Sequence, residues 1–290
     1  MTRVTRGYAL AAFAVFAPPA AVVAAVALWL GGVGPSPTDL IVLALGTAAT
    51  LLGVELGFHR YFTHRSFTAH PALIWVLGAL GSSAFLGPVM WWVATHRRHH
   101  ALTDREGDPH SPHWPFTGVH GLVHAHVGWL FSPEHTAMRI SAGEVRDLWQ
   151  SPRTIALHRS YLVWGVLGLA IPTLIGFAAG GPWGALTGFL WGGMIRVFVV
   201  SQLTWAVNSF GHAFGGRAQL PHSGQARNSM WLALAGFGGG HHANHHDAPR
   251  AYTTQGRWWQ VDSGGAVLRV LSACGLVSDL KPSVLSRTES

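Results

Sequence analysis

Apolar residues run almost unbroken through four stretches of this chain, 8–30, 40–56, 161–179 and 184–207. Each is close to the roughly 20 residues that an α-helix needs to cross a bilayer. The turns between the paired stretches, "GGVGPSP" at 31–37 and "GGP" at 180–182, carry no positive charge. Arginines gather instead before the first stretch, between the second and third, and after the fourth. The positive-inside rule then puts both termini and the middle region in the cytoplasm of a multi-pass inner-membrane protein. The first stretch follows Arg3 and Arg6 as a secretory signal would, but its apolar part is too long for one and a second span follows directly.

A fifth apolar segment, 72–93, tests this layout. It contains "LGALGSSAFLGP", in which Gly78, Gly81, Ser82, Ser83 and Pro88 weaken a straight helix. It reads as an interfacial or re-entrant segment. A full crossing there would put His59 and His64 on the opposite side from His96 and the histidines after it. The expected fold is therefore all-α and integral to the membrane. It is one domain over 1–290, with four transmembrane helices and a cytoplasmic helical cap made from 57–159 and 208–290, holding a histidine-rich dimetal site.

Composition agrees with lipid as the solvent. Of the 290 residues 49% are hydrophobic and 11% are charged, where a soluble domain carries about 25% charged residues. The net charge of +7 rests almost wholly on scattered arginines, Lys281 being the one lysine, which points away from nucleic acid and toward lipid headgroups or a phosphate-bearing substrate. The single cysteine, Cys274, excludes an internal disulfide, a thiolate zinc cage and a self-contained iron–sulfur cluster. What stands out is 19 histidines against 12 acidic residues.

Those histidines are patterned. "HRYFTHRSF" places His59 and His64 directly after the second stretch, and "HRRHHALTD" carries His96, His99 and His100. "NSFGH" follows the fourth stretch with Asn208 and His212, and "HHANHH" carries His242, His245 and His246. The two triples share the spacing i, i+3, i+4, so each presents three imidazoles on one helical face. Asn208 and His212 stack one turn apart. His59 and His64, at i, i+5, diverge by about 140° on an ideal α-helix, so they either address different metals or sit where the helix unwinds. Nine histidines and an asparagine at one membrane face suit two metal ions, although imidazole alone does not choose among iron, zinc, copper and nickel.

At these residues the sequence resembles the membrane acyl desaturases of the stearoyl-CoA (delta-9) desaturase family, in their compact bacterial form. The likeness covers most of the chain and extends to "DPHSP" (108–112), "HVGWLF" (126–131) and "RWWQVD" (257–262). It implies a di-iron centre with His59, His64, His96, His99, His100, His212, His242, His245 and His246 as ligands and Asn208 acting through water. It also implies dioxygen as co-substrate, a fatty acyl chain carried on coenzyme A or another carrier, and a cis double bond as product. With no cytochrome b5-like domain and no cluster cysteines, electrons are expected from a separate ferredoxin or flavoprotein reductase.

Other residues are read more locally. Thr204 and Trp205, one turn before Asn208, and Trp92, four before His96, are candidates to line the acyl chain, with ordinary packing as the alternative. The family commonly has a glutamate where this chain has Gly239. Glu55, four residues before His59, is a candidate replacement as the carboxylate that orients that imidazole, with a water-exposed residue at the span end as the alternative. Arg196 either bounds the far end of the tunnel or pairs between helices. Arg60, Arg65, Arg97 and Arg98 either meet carrier phosphates or stay solvated. His110 and His126 read as structural or supporting residues, and His241 points away from the cluster. His70, His113, His120, His124, His135, His158 and His222 read as surface or core residues. A hydroxylase or acetylenase on the same scaffold, a metal transporter or sensor, and a bis-histidine haem bundle are the competing readings.

Overall fold

The computed structural model describes residues 3–136, 140, 143–216 and 224–285; His222 lies outside them. The described chain is mostly helical. Helix α1 (Arg3–Leu30) leads through a short turn into α2 (Pro37–Leu52). Ser36 starts α2 as a capping box: its hydroxyl accepts from the Asp39 amide while the Asp39 carboxylate accepts from the Ser36 amide at 2.8 Å.

The second apolar stretch continues past 56 without a break. From Gly53 to Thr63 it winds as a π-helix, and α2 and the π-helix together form one apolar helix, Pro37–Thr63. The bond from the His64 amide to the His59 carbonyl, 3.2 Å, is an i→i+5 bond. A π turn brings residues five apart onto one face. That settles the odd spacing of His59 and His64 in favour of an unwound helix.

Segment 72–93 is not one helix. Helix α3 (Pro71–Ser82) has 12 residues, about 18 Å of rise, which is too short to cross. The chain turns through 83–88 and returns as α4 (Val89–Leu102). Helix α3 lies antiparallel against the π-helix, backbone to backbone. A methyl group on Gly53 would sit 2.3 Å from the Gly81 amide nitrogen, so only glycine permits the approach. This turn brings α4 and its histidines back beside His59.

Among the described residues, three apolar helical runs are long enough to span a membrane: Gly7–Leu30, Pro37–Thr63 and Tyr161–Ala213. The last has 53 residues and folds on itself where Gly180 and Gly181 leave helical geometry. Its two legs pack closely, with a Cβ on Gly176 falling 2.0 Å from the Gly184 carbonyl oxygen. These helices expose Phe16, Val23, Leu45, Val166 and Leu174 while burying Arg196, the arrangement lipid favours. Arg196 donates to the Thr50 hydroxyl and to the carbonyls of Ser83, Gly168 and Gly192. It ties helices together and lines neither of the cavities described below, so the reading of a tunnel end gives way to that of interhelical pairing.

The close approach of the two legs is testable. Gly176→Val should markedly lower the melting temperature of the purified protein in detergent. Gly180→Ala, with nothing within 4 Å and a negative φ, should leave it within a degree or two, on the order expected for an unconstrained surface site.

Candidate metal centre

The nine sequence-selected histidines converge through their Nε2 atoms into two groups. In the first, His59 faces His245 at 3.0 Å, His245 faces His100 at 2.9 Å, and His96 faces both His100 and His64 at 3.1 Å. In the second, His212 faces His242 at 2.9 Å, His242 faces His246 at 3.1 Å, and His246 faces His99 at 3.2 Å. The first group combines the π-helix, α4 and the helix His242–Asp247. The second combines α4, the end of Tyr161–Ala213 and that same short helix. The i, i+3, i+4 triples are split between the groups.

The donor set fits metal ions. His59 Nδ1 lies 3.1 Å from Glu55 Oε2, His99 Nδ1 2.9 Å from Asp108 Oδ1, and His212 Nδ1 3.0 Å from Asp104 Oδ2. An imidazole that donates its Nδ1 proton to a carboxylate presents a lone pair at Nε2. Lone pairs turned on one another at these separations repel unless a cation lies between them. Imidazole nitrogens bind first-row metals at about 2.0–2.1 Å, which sets neighbouring ligands roughly 3 Å apart. Burial, followed by the repulsion of neighbouring imidazoles, holds His64, His96, His99, His242, His245 and His246 well below their ordinary pKa, and His100 at about 3. The ligand form therefore persists at neutral pH.

Outside the cluster, charged networks fix its parts. Glu55 also accepts from Arg60 Nε at 3.0 Å, and Arg60 grips both oxygens of Asp262 at 2.9 and 3.0 Å. Arg60 is 2% exposed, so it is neither a phosphate contact nor solvated. A methyl group on Gly239 would lie 3.1 Å from Glu55 Oε2, so the Glu55 carboxylate fills the space that a larger residue at 239 would claim. Arg97 pairs bidentately with Asp147, Arg65 pairs with the same carboxylate, and Arg98 pairs with Glu144. Asn244, inside the His242/His245/His246 triple, bonds the Thr254 carbonyl and Gln260, which ties the "RWWQVD" segment to the site.

Asp104 and Asp108 were not singled out by sequence. They had a signal: both follow the His96/His99/His100 triple within nine residues of His99, which places them on the loop directly beyond its helix. Their surroundings differ. Burial alone would raise Asp104, but His212, Ser111 and the Gln225 amide hold it at about 2. Burial pushes Asp108 up to about 7, against amide donors from Asp104 and His110. His110 stacks on His99 with ring centroids 4.4 Å apart, and its amide donates to Asp108. His126 is fixed by Ser209 and Gln202 at 3.0 Å each. His241 Nε2 donates to the Val261 carbonyl, away from both groups.

Two cavities adjoin the first group. Trp92, His96, Thr204 and Asn208 belong to the walls of both, and Trp205 to the larger. Trp92 stacks on His96 at 4.9 Å, and Trp205 rests against His126. Asn208 is half-buried beside His96, within reach of the cluster but not among its facing nitrogens.

Comparison with known proteins agrees with this geometry. The fatty acid desaturase family model matches residues 35–262. A hex-5-enoyl-[acyl-carrier protein] acetylenase of Moorena producens (strain JHB) is 42% identical over 243 residues, 81% of this chain and 74% of that protein. An sn-1 stearoyl-lipid 9-desaturase of Anabaena variabilis is 31% identical over 84% of this chain and 86% of its own length. A chloroplastic palmitoyl-monogalactosyldiacylglycerol delta-7 desaturase of Arabidopsis thaliana is 32% identical over 80% of this chain, which spans only 58% of it. The chain belongs to the fatty acid desaturase family, oxidoreductases that act on fatty acyl chains.

Two measurements check the site. Glu55→Gln weakens acceptance of the His59 proton and should reduce metal affinity about 10–100-fold; unchanged metal content under chelator competition would remove Glu55 from the account. Metal uptake by the stripped protein should rise with pH through about 7, where Asp108 loses the proton that opposes a cation. Asp108→Asn should flatten that step, whereas Asp104→Asn, already ionised in the parent, should keep it.

Proposed function

We propose that this chain is an oxygen-dependent acyl desaturase. It would insert a cis double bond into a saturated chain carried as a thioester or lipid, with coenzyme A as one such carrier. The observation that carries the reading is the pair of adjacent imidazole groups opening onto an apolar cavity. His59, His64, His96, His100 and His245 would hold one iron, and His99, His212, His242 and His246 the other, with Asn208 reaching the centre through water. Two irons supply the redox capacity to activate dioxygen, which no side chain has. External electrons would come from a ferredoxin or a flavoprotein reductase.

The chain's own residues position and exclude. Trp92, Thr204 and Trp205 would hold methylenes beside His96, the apolar walls would keep water out, and Glu55, Asp108 and Asp104 would keep His59, His99 and His212 turned inward. The reversal at Gly180–Gly181 supports four crossings, with 57–159 and 208–290 as a cytoplasmic cap and both termini on that side. The histidine groups would then lie where the helices leave the membrane.

The acetylenase relative favours a second reading, in which the chain oxidises a pre-existing double bond to a triple bond. Expression in a host with a simple fatty-acid profile separates the two. New monounsaturated chains that disappear in His96→Ala and His246→Ala support desaturation. Triple-bonded products formed only from a supplied unsaturated acid support acetylenation, and an unchanged profile in either supplement contradicts both.

A further inference from the structure

One side of the larger cavity carries polar groups that neither the metal centre nor the fold uses. His110, Trp129 and His135 line it, at 3%, 6% and 7% exposure. His110 Nδ1, Trp129 Nε1 and His135 Nε2 are buried and have no hydrogen-bond partner. Their rings are in contact, His110 against Trp129 at 5.2 Å and Trp129 against His135 at 4.8 Å between centroids. Trp129 Nε1 can only donate. The Ser132 hydroxyl lies 2.6 Å from His135 Nδ1, and in the tautomer where it donates to that nitrogen the ring proton sits on Nε2. A buried polar atom left unpaired costs about 1–3 kcal/mol, so three of them at one cavity wall, with Trp129 Nε1 a donor in any state, ask for a partner.

The acceptor's chemistry is constrained. Among the described residues, the wall of this cavity has no Asp, Glu, Lys or Arg. Neutral donors in an apolar setting suit a neutral acceptor better than a phosphate or a free carboxylate, which would need a cation beside it. The second cavity shares Trp92, His96, Thr204 and Asn208 and adds Leu51, Val54, Leu203 and Val207, with Glu55, His59 and His242 on its metal-centre side. The two cavities thus differ, one with unpaired polar atoms at one corner and one aliphatic beyond the site residues, and they share His96.

We infer that the His110, Trp129 and His135 corner receives the carbonyl of the acyl group, while the hydrocarbon tail runs past His96 and Asn208 into the aliphatic cavity. This deepens the desaturase reading and rests on it. The corner fixes where along the chain the carbonyl stops, and so which carbons stand beside the metals. His110 acts as a positioning residue twice over, since it also packs on His99.

The test compares two probes that differ only in the carbonyl, methyl dodecanoate and dodecyl methyl ether. Each is titrated against the purified full-length protein in detergent, by displacement of a fluorescent acyl ligand. The wild-type protein should bind the ester about 5–10-fold more tightly, the worth of one or two neutral hydrogen bonds. Trp129→Phe and His135→Phe should each shrink that ratio while leaving ether affinity within about twofold. Equal affinity for ester and ether in the wild-type protein overturns the inference and needs no variant to fold. Binding of both probes without discrimination leaves the desaturase reading standing, whereas failure to bind either sinks that reading as well.

Discussion

Nine imidazole lone pairs turned inward on one another would force the histidines apart without positive charge between them, and the surrounding structure is organised to prevent that escape. Carboxylates on the outer edge of three rings, Glu55, Asp104 and Asp108, hold them in the inward orientation. Behind Glu55 stands Arg60, and behind Arg60 stands Asp262, which also caps Ser263–Ala273 and accepts from Thr253 and Thr254. Removing one member of such a buried ionic chain strands the next, at a cost typically of about 3–5 kcal/mol. The metal groups and the fold of the C-terminal segment are therefore one cooperative unit.

The membrane helices serve this unit by geometry. A π-helical end on Pro37–Thr63 aligns two histidines that an α-helix would separate. The short, glycine-packed α3 and the turn at 83–88 return α4 to the same face. The reversal at Gly180–Gly181 lets Tyr161–Ala213 bring His212 back beside His242. The same helices leave apolar space next to the first group, so the cavities and the histidine cluster share His96. Reactive centre and greasy slot are built from one set of helix ends.

Much of this was legible in the sequence, because its signals were local. Apolar run length marked the helices, weak helix formers marked the interruption in 72–93, and helical spacing marked each triple. What stayed hidden was set by contacts between distant segments. The i, i+5 pair was ambiguous because nothing in 53–63 announces a π turn. Each triple shares one helical face, yet the structure divides it between the two groups, since only packing decides which imidazole meets which partner. Glu55 was found because it lies one turn from His59. Asp104 and Asp108 were missed because a loop, not a helical period, carries them to their histidines. Arg60, Arg65, Arg97 and Arg98 looked like a basic fringe until Asp262, Asp147 and Glu144 came up beside them. His135 passed for an ordinary histidine, since an unpaired nitrogen is visible only in three dimensions.

The account stands on two separate cation positions, one inside each histidine group. Anomalous scattering at the iron absorption edge, recorded from crystals of the iron-loaded protein, tests this most directly. Two peaks are expected, one enclosed by His59, His64, His96, His100 and His245, the other by His99, His212, His242 and His246. A single peak, or peaks outside these groups, would contradict it.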